Sequence, residues 1–449
     1  MAAPALHQLS ASEARRLIRT KKLGIVEYAD ALIRRIEARE GTLKAWQHFD
    51  ADAARAAARW VERNGPAGPL HGIPLGVKDI IETRDMPTTY GAAPLYAQHR
   101  PAWDASCVAL AKAAGAIVMG KTVTSEFAGY YTGPTVNPHD PTRSPAFSSM
   151  GSAAAVADYH VPLAFGSQTG GSIIRPAAHC GAVGYMPSYG LFNTTGVHNL
   201  APSLDHLGHF ARTVDDIALM GQVLSGDARF GAGAPARPPR LGLLVGWETR
   251  RATPEIWRAM ADARARLAKA KAPIVEIKIP KSLAALSEHC VTVIRYETAR
   301  TLAHEYLHGT PGGLSATMRE LVESGLAMKR EDYVTAMEAA HAGRARLAAL
   351  FEEHRIDALL SPSAECLAQP LDDAVSRSVF NRLWTILYVP TLALTTDFVA
   401  VKPHARQPKA VKLPVGIQLV GRFWKDHEFL QVARWVEARI GRLPEPLNF

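Results

Sequence analysis

Gly170, Gly171 and Ser172 follow an apolar run directly and precede Ile173, Ile174 and Arg175. A strand ending in so tight a turn presents successive backbone N–H groups around one hydroxyl, the local design of an oxyanion hole beside a nucleophile. Small residues in tight turns also serve structure alone, so this turn by itself does not define a site. Two further features join it. In HGIPLGVKDI, Lys78 closes a Gly-punctuated apolar strand, where an ammonium is costly to bury unless something pairs with it or uses it. Ser148 and Ser149 open the Ser/Gly turn that leads into the helical SAAAVA. Lys78, Ser148 and Ser172, separated by 70 and 24 residues, form a distributed constellation able to run nucleophilic acyl transfer.

The surrounding elements must hold these residues in place. Ser10 and Glu13 form a capping-box pattern, and Ala29, Leu32, Ile33 and Ile36 recur at helical spacing, so residues 1–65 are expected to be mostly helical. Over residues 66–225 the runs GIPLGV, GAIVMG and VPLAFG alternate with helical stretches such as 107–114 and 213–224, the signature of an α/β sheet. Residues 226–240 are rich in Gly, Ala and Pro and are expected to form a surface connection. Beyond them come a strand, LGLLVG, a helix with Thr253 as N-cap and Pro254 at its first position, and a second strand, IVEIKI. A helical stretch to about residue 354 precedes DALLSPS, YVPTLALTT and LPVGIQLVG, and a last helix ends near residue 440. Strand-like runs at both ends flank one helical insert. The expected fold is therefore α/β, a single mixed twisted sheet built from both halves of the chain and surrounded by helices, with residues 241–449 completing the sheet in one domain.

Composition narrows the function classes. With 47% hydrophobic and 21% charged residues, the chain has the balance of a protein with a large core, which excludes disorder, collagen and coiled coil. The net charge of +9 is spread in alternation with acids, as in Arg34, Arg35, Glu37, Arg39 and Glu40, the pattern of a solvated face rather than of nucleic-acid binding. Lys402, Arg406, Lys409 and Lys412, interleaved with Pro403 and Pro408, are read as an exposed loop between strands. The four cysteines lie far apart with no CxxC pair, so neither a disulfide framework nor a cysteine zinc site is expected. No run is long and apolar enough for a membrane span and the N-terminus lacks a signal-peptide pattern, so a soluble, cytoplasmic protein is expected.

The motifs GIPLGVKD, GAIVMGKTVTSEF at 115–127, SSMGSAAAVA at 148–157, GSQTGGSIIRPAAHCGAVGYMPSYG at 166–190 and LPVGIQLVGR near the end occur in an order and spacing that resemble the amidase signature family of serine hydrolases. The resemblance implies Ser172 as nucleophile, Ser148 on a cis peptide bond as proton bridge and Lys78 as general base. The backbone N–H groups of Thr169, Gly170, Gly171 and Ser172 would form the oxyanion hole. A lysine accepts a proton only when neutral, so burial would have to lower the pKa of Lys78. The implied activity is cleavage of an amide C–N bond through an acyl-enzyme, extending to aryl amides, esters and urethanes, with a small-molecule amide or carbamate as substrate. No cofactor, metal, nucleic acid or membrane is implied, and a homodimer is the family expectation. Two alternatives stand beside it, the glutamine-hydrolysing subunit of a tRNA amidotransferase and a catalytically inactive binding protein of the same fold.

The chain departs from the family pattern at several points. Ala146, Phe147 and Met150 stand where the family usually has glycine, either reshaping the acyl pocket or drifting on a tolerant turn. Gln168 replaces the usual Asp, and Arg175 lies three residues after Ser172 rather than two, as in a malonamidase-like branch. Arg175 would bind a substrate carboxylate or fix the loop. Phe127, Tyr130 and Tyr131, with Ser149, are candidates for lining the substrate pocket or for ordinary core. His304, Glu305 and His308 spell H-E-Y-L-H, but without a diagnostic third ligand they read as a helix carrying two histidines rather than a zinc site.

Overall fold

In the computed structural model of the chain, residues 5–130, 133–247, 251–310, 312–373, 378–402 and 410–440 are described. The Ser10–Glu13 pair closes its capping box at the start of helix Ala11–Arg19, the Ser10 hydroxyl accepting from the Glu13 N–H. Ala29, Leu32, Ile33 and Ile36 form the buried face of helix Ile25–Leu43.

Eleven strands are named here in chain order: β1 Trp46–Phe49, β2 Pro74–Lys78, β3 Ile117–Thr122, β4 Leu163–Gln168, β5 Val183–Met186, β6 His206–Ala211, β7 Leu241–Val245, β8 Ile274–Lys278, β9 Ala358–Pro362, β10 Thr391–Val401 and β11 Val411–Val420. They form one sheet of order β1-β3-β2-β4-β6-β5-β10-β11-β9-β7-β8. The halves of the chain meet where Thr391 of β10 pairs antiparallel with Met186 of β5. Pairing is parallel for β2 with β3 and β4 and for β7 with β8 and β9, and antiparallel elsewhere, so the sheet is mixed as expected. Central strands are apolar on both faces because both are covered. Leu75, Val77, Leu163 and Phe165 enter one core cluster, and Ala164, Phe210 and the small side chains of helix Met150–Ala157 enter the other.

Residues 5–65 are mostly helical, with β1 pairing with β3 at the sheet edge. The connection after residue 225 runs mostly at the surface and is anchored by a short 3-10 turn, Ala228–Gly231, whose Phe230 is buried against Gly221. One expectation is corrected. Lys412 belongs to β11 rather than to a loop, whereas Arg406, Lys409, Pro403 and Pro408 lie outside the described residues.

A buried ion cluster ties the N-terminal helices to the sheet. Arg35 and Arg39 reach the fully buried Asp158 at 2.9 and 2.8 Å. Asp158→Ala strands two largely buried guanidinium groups without their carboxylate, at a cost of about 3–5 kcal/mol. A urea titration should show this as a lowered midpoint, and a shift worth less than about 1 kcal/mol would contradict the role assigned to the cluster.

Candidate active site

Two parallel neighbours in the sheet, β2 and β4, bring the candidate residues together at their C-terminal ends. Lys78 ends β2 with no solvent exposure, and its Nζ donates to Ser148 Oγ and to Ser167 Oγ, each at 2.8 Å. Among the described residues no carboxylate lies within 4 Å of that nitrogen. The contrast with Lys121 is informative. It is equally buried on β3, but sits 3.1 Å from Asp79. Burial pulls the Lys78 ammonium down to about 7, opposed only by the more distant Asp205 carboxylate. Near neutral pH, Lys78 is therefore close to half-deprotonated and able to accept a proton.

Ser148 follows a cis peptide bond with Phe147. The residue before them, Ala146, has φ of 70°, a left-handed conformation that glycine adopts without steric cost and other L-residues adopt at about 1–2 kcal/mol. The family preference for glycine at this point thus has a backbone reason, and here the chain accepts the cost. Phe147 and Met150 turn into a small buried cluster with Val123. Ser149 is fully buried as well. Its hydroxyl donates to the Ser167 carbonyl at 3.1 Å and accepts from the Ser167 N–H at 3.3 Å, so it fastens the Ser148 turn to β4.

Ser172 lies between β4 and helix Ile174–Cys180 and is only half-buried, in contrast to Lys78 and Ser148. Its carbonyl accepts from the Ser149 N–H at 3.4 Å, bringing the two serine turns together, although no hydrogen bond joins the Ser148 and Ser172 hydroxyls. The N–H groups of Gly170, Gly171 and Ser172 donate to no acceptor among the described residues, so the turn offers them to whatever enters. Gly171 is required by close approach, since a Cβ there would lie 2.8 Å from Ser378 Cβ. Gln168, expected in the substrate pocket, is fully buried beneath the turn. Its Oε1 accepts from the N–H groups of Ile173 and Ile174 at 2.9 and 3.1 Å, and its Nε2 donates to Thr385 Oγ1 at 3.1 Å, so it shapes the turn from below. Thr169 turns its hydroxyl to Asp205, at 2.5 Å. Asp205 also accepts from the N–H groups of Leu200 and Ala201, and burial pushes its carboxyl up to about 6.

Of the other residues expected to line the pocket, Phe127 is buried in an aromatic cluster with Tyr90 and His198. Arg175 is 2% exposed with its Nε 3.6 Å from Glu365, on the interior side, which favours fixing the fold over meeting a substrate carboxylate. Tyr130 stays half-buried within electrostatic range of Arg382, and Tyr131 lies outside the described residues. Ser167 falls inside the 166–190 motif without a role assigned to it, and no quoted motif contains Asp205, Ser378, Asn381 or Arg382, yet each borders Lys78 or the Gly170–Gly171 turn.

The Amidase family model matches residues 27–430. The chain belongs to the amidase signature family. As a member it is an amidase-family enzyme acting on C–N bonds. It is similar to a glutamyl-tRNA(Gln) amidotransferase component of Chloroflexus aurantiacus, at 31% identity over 95% of this chain and 96% of the relative. A solved amidase superposes with a TM-score of 0.85 at 31% identity, covering 96% of this chain and 100% of that one. The peptide amidase of Stenotrophomonas maltophilia gives a TM-score of 0.79 at 26% identity over 98% of both chains. In this amidase-signature chain the H-E-Y-L-H motif falls on helix Ala303–His308, where Glu305 accepts from the Tyr96 hydroxyl at 2.6 Å. No cluster of three metal-ligating side chains occurs among the described residues, and no described helix is long and apolar enough to cross a membrane.

Proposed function

We propose that the protein is a serine amidase that hydrolyses small carboxamides through an acyl-enzyme on Ser172. The reading rests on one observation above others, a fully buried lysine without a carboxylate partner whose Nζ lies 2.8 Å from Ser148 Oγ. Ser172 Oγ attacks the carbonyl carbon, its proton passing through Ser148 to neutral Lys78. The oxyanion that forms is held by the N–H groups of Thr169, Gly170, Gly171 and Ser172. Collapse breaks the C–N bond as the proton returns through Ser148 to the leaving amine, and water then attacks the ester carbonyl to release the acid and regenerate Ser172. With a carbamate the same steps release an amine and a carbonate half-ester, which loses carbon dioxide to leave an alcohol.

A substrate panel of amides, anilides, esters and carbamates, assayed beside Ser172→Ala, tests the assignment. The expected result is Ser172-dependent release of amine from at least one amide. Turnover confined to esters, or turnover retained in Ser172→Ala, would contradict it. The names of the amidotransferase relatives support a second reading, in which the chain works as the glutamine-hydrolysing part of such a complex. Glutaminase activity that appears only with a copurifying partner protein would favour that reading over a free amidase.

A further inference from the structure

Arg382 borders the Gly170–Gly171 turn. It lies on helix Val379–Ile386, and its Cγ is 3.6 Å from the point a Cβ on Gly170 would occupy, so its stem runs along the turn that offers the free N–H groups. Cys290, whose Sγ lies 3.9 Å from the Thr169 carbonyl, and Tyr130 both lie within electrostatic range of Arg382, which keeps the guanidinium beside the same turn. Its Nε is buried without a hydrogen-bond partner, and it forms no ion pair among the described residues. Nearby arginines are spent on the protein itself. Arg175 faces Glu365, and Arg344 donates to the Ile386 carbonyl and lies 3.5 Å from the Tyr388 ring centre. A buried guanidinium nitrogen without a partner is costly, and a planar carboxylate is the group that best satisfies it.

We propose that Arg382 is the specificity-determining residue of this site and that the preferred substrate is an amide carrying a carboxylate. This rests on the Ser172 acyl-enzyme reading and adds the substrate class to it. Arg295, exposed on helix Leu286–Thr301 and within electrostatic range of Tyr130, adds a second positive charge to the entrance. The carboxylate could belong to the acyl part or to the amine part, and the test separates the two.

Three chromogenic anilides serve as probes: butyric 4-nitroanilide, succinic mono-4-nitroanilide with its carboxylate on the acyl part, and a butyric nitroanilide carrying a ring carboxylate on the amine part. For each, kcat/KM is measured, together with protection of Ser172 from a fluorophosphonate, which needs no turnover. The expected result is a preference of about 10- to 100-fold for one carboxylated anilide over the neutral one, falling to near unity in Arg382→Met and partly kept in Arg382→Lys. Equal handling of all three by the wild type, or a preference that survives in Arg382→Met, would overturn the role of Arg382 while Ser172 still labels. Failure of Ser172 to label at all would overturn both this proposal and the acyl-enzyme beneath it. Should Arg382→Met fail to fold, Arg382→Gln carries the same comparison.

Discussion

Ser172→Ala should lower kcat for any substrate by about 10⁴- to 10⁶-fold, the loss that follows when an acyl-transfer nucleophile is removed while the oxyanion donors stay. The fold should tolerate the change. Ser172 is half-buried, its hydroxyl makes no hydrogen bond within the described residues, and the turn is held by Gln168 from below and Ser149 from the side through backbone groups that the substitution keeps. An unchanged urea midpoint beside the lost activity would separate chemistry from folding. A variant that kept a tenth of wild-type kcat would exclude Ser172 as nucleophile.

The second large effect concerns Lys78 and has a sign in pH. Burial sets its folded pKa at about 7 against an ordinary value of 10.5. Since the base works only when neutral, kcat/KM for the free enzyme should fall about tenfold per unit as pH drops below 7. Lys78→Ala should abolish that limb and lower kcat by about 10²- to 10⁴-fold. Linkage gives a second readout from the same residue. Between pH 7 and about 10 the unfolded chain holds a proton on Lys78 that the folded chain does not, so this residue's contribution to stability is least favourable below pH 7 and recovers as pH rises through that window. Lys78→Met should accordingly raise the urea midpoint at pH 7 while removing activity, the trade expected of a group kept for function. An acid limb retained in Lys78→Ala would assign it to another group, Asp205 with its carboxyl at about 6 being the first to examine.

Parts of this site are legible in the sequence for physical reasons, and parts are not. Lys78 stands out because a cation ending an apolar strand has few bland explanations, and Ser172 because two glycines and a serine after a strand make a turn of exposed N–H groups. The eleven-stranded sheet follows from apolar runs at both ends of the chain, though β1 escapes because a four-residue edge strand between two long helices leaves no periodic signal. Ser167 escapes because it alternates within β4 like any strand residue, and only the fold reveals that its hydroxyl meets Lys78. Asp205 and Arg382 belong to segments distant in sequence that the topology folds over the turn. Phe127, Phe147, Met150 and Gln168 lie in or next to motifs in sequence, yet neighbours in a tight turn point in different directions, and only the fold shows that these four are buried.

The central claim is that Ser172 is the nucleophile served by a neutral Lys78. The most direct measurement is mass spectrometry of the protein after exposure to a fluorophosphonate, read by peptide. The account predicts a single adduct on the peptide containing Ser172, formed more slowly in Lys78→Ala and absent in Ser172→Ala. No adduct under conditions that label a control amidase, or an adduct on a different residue, would contradict it.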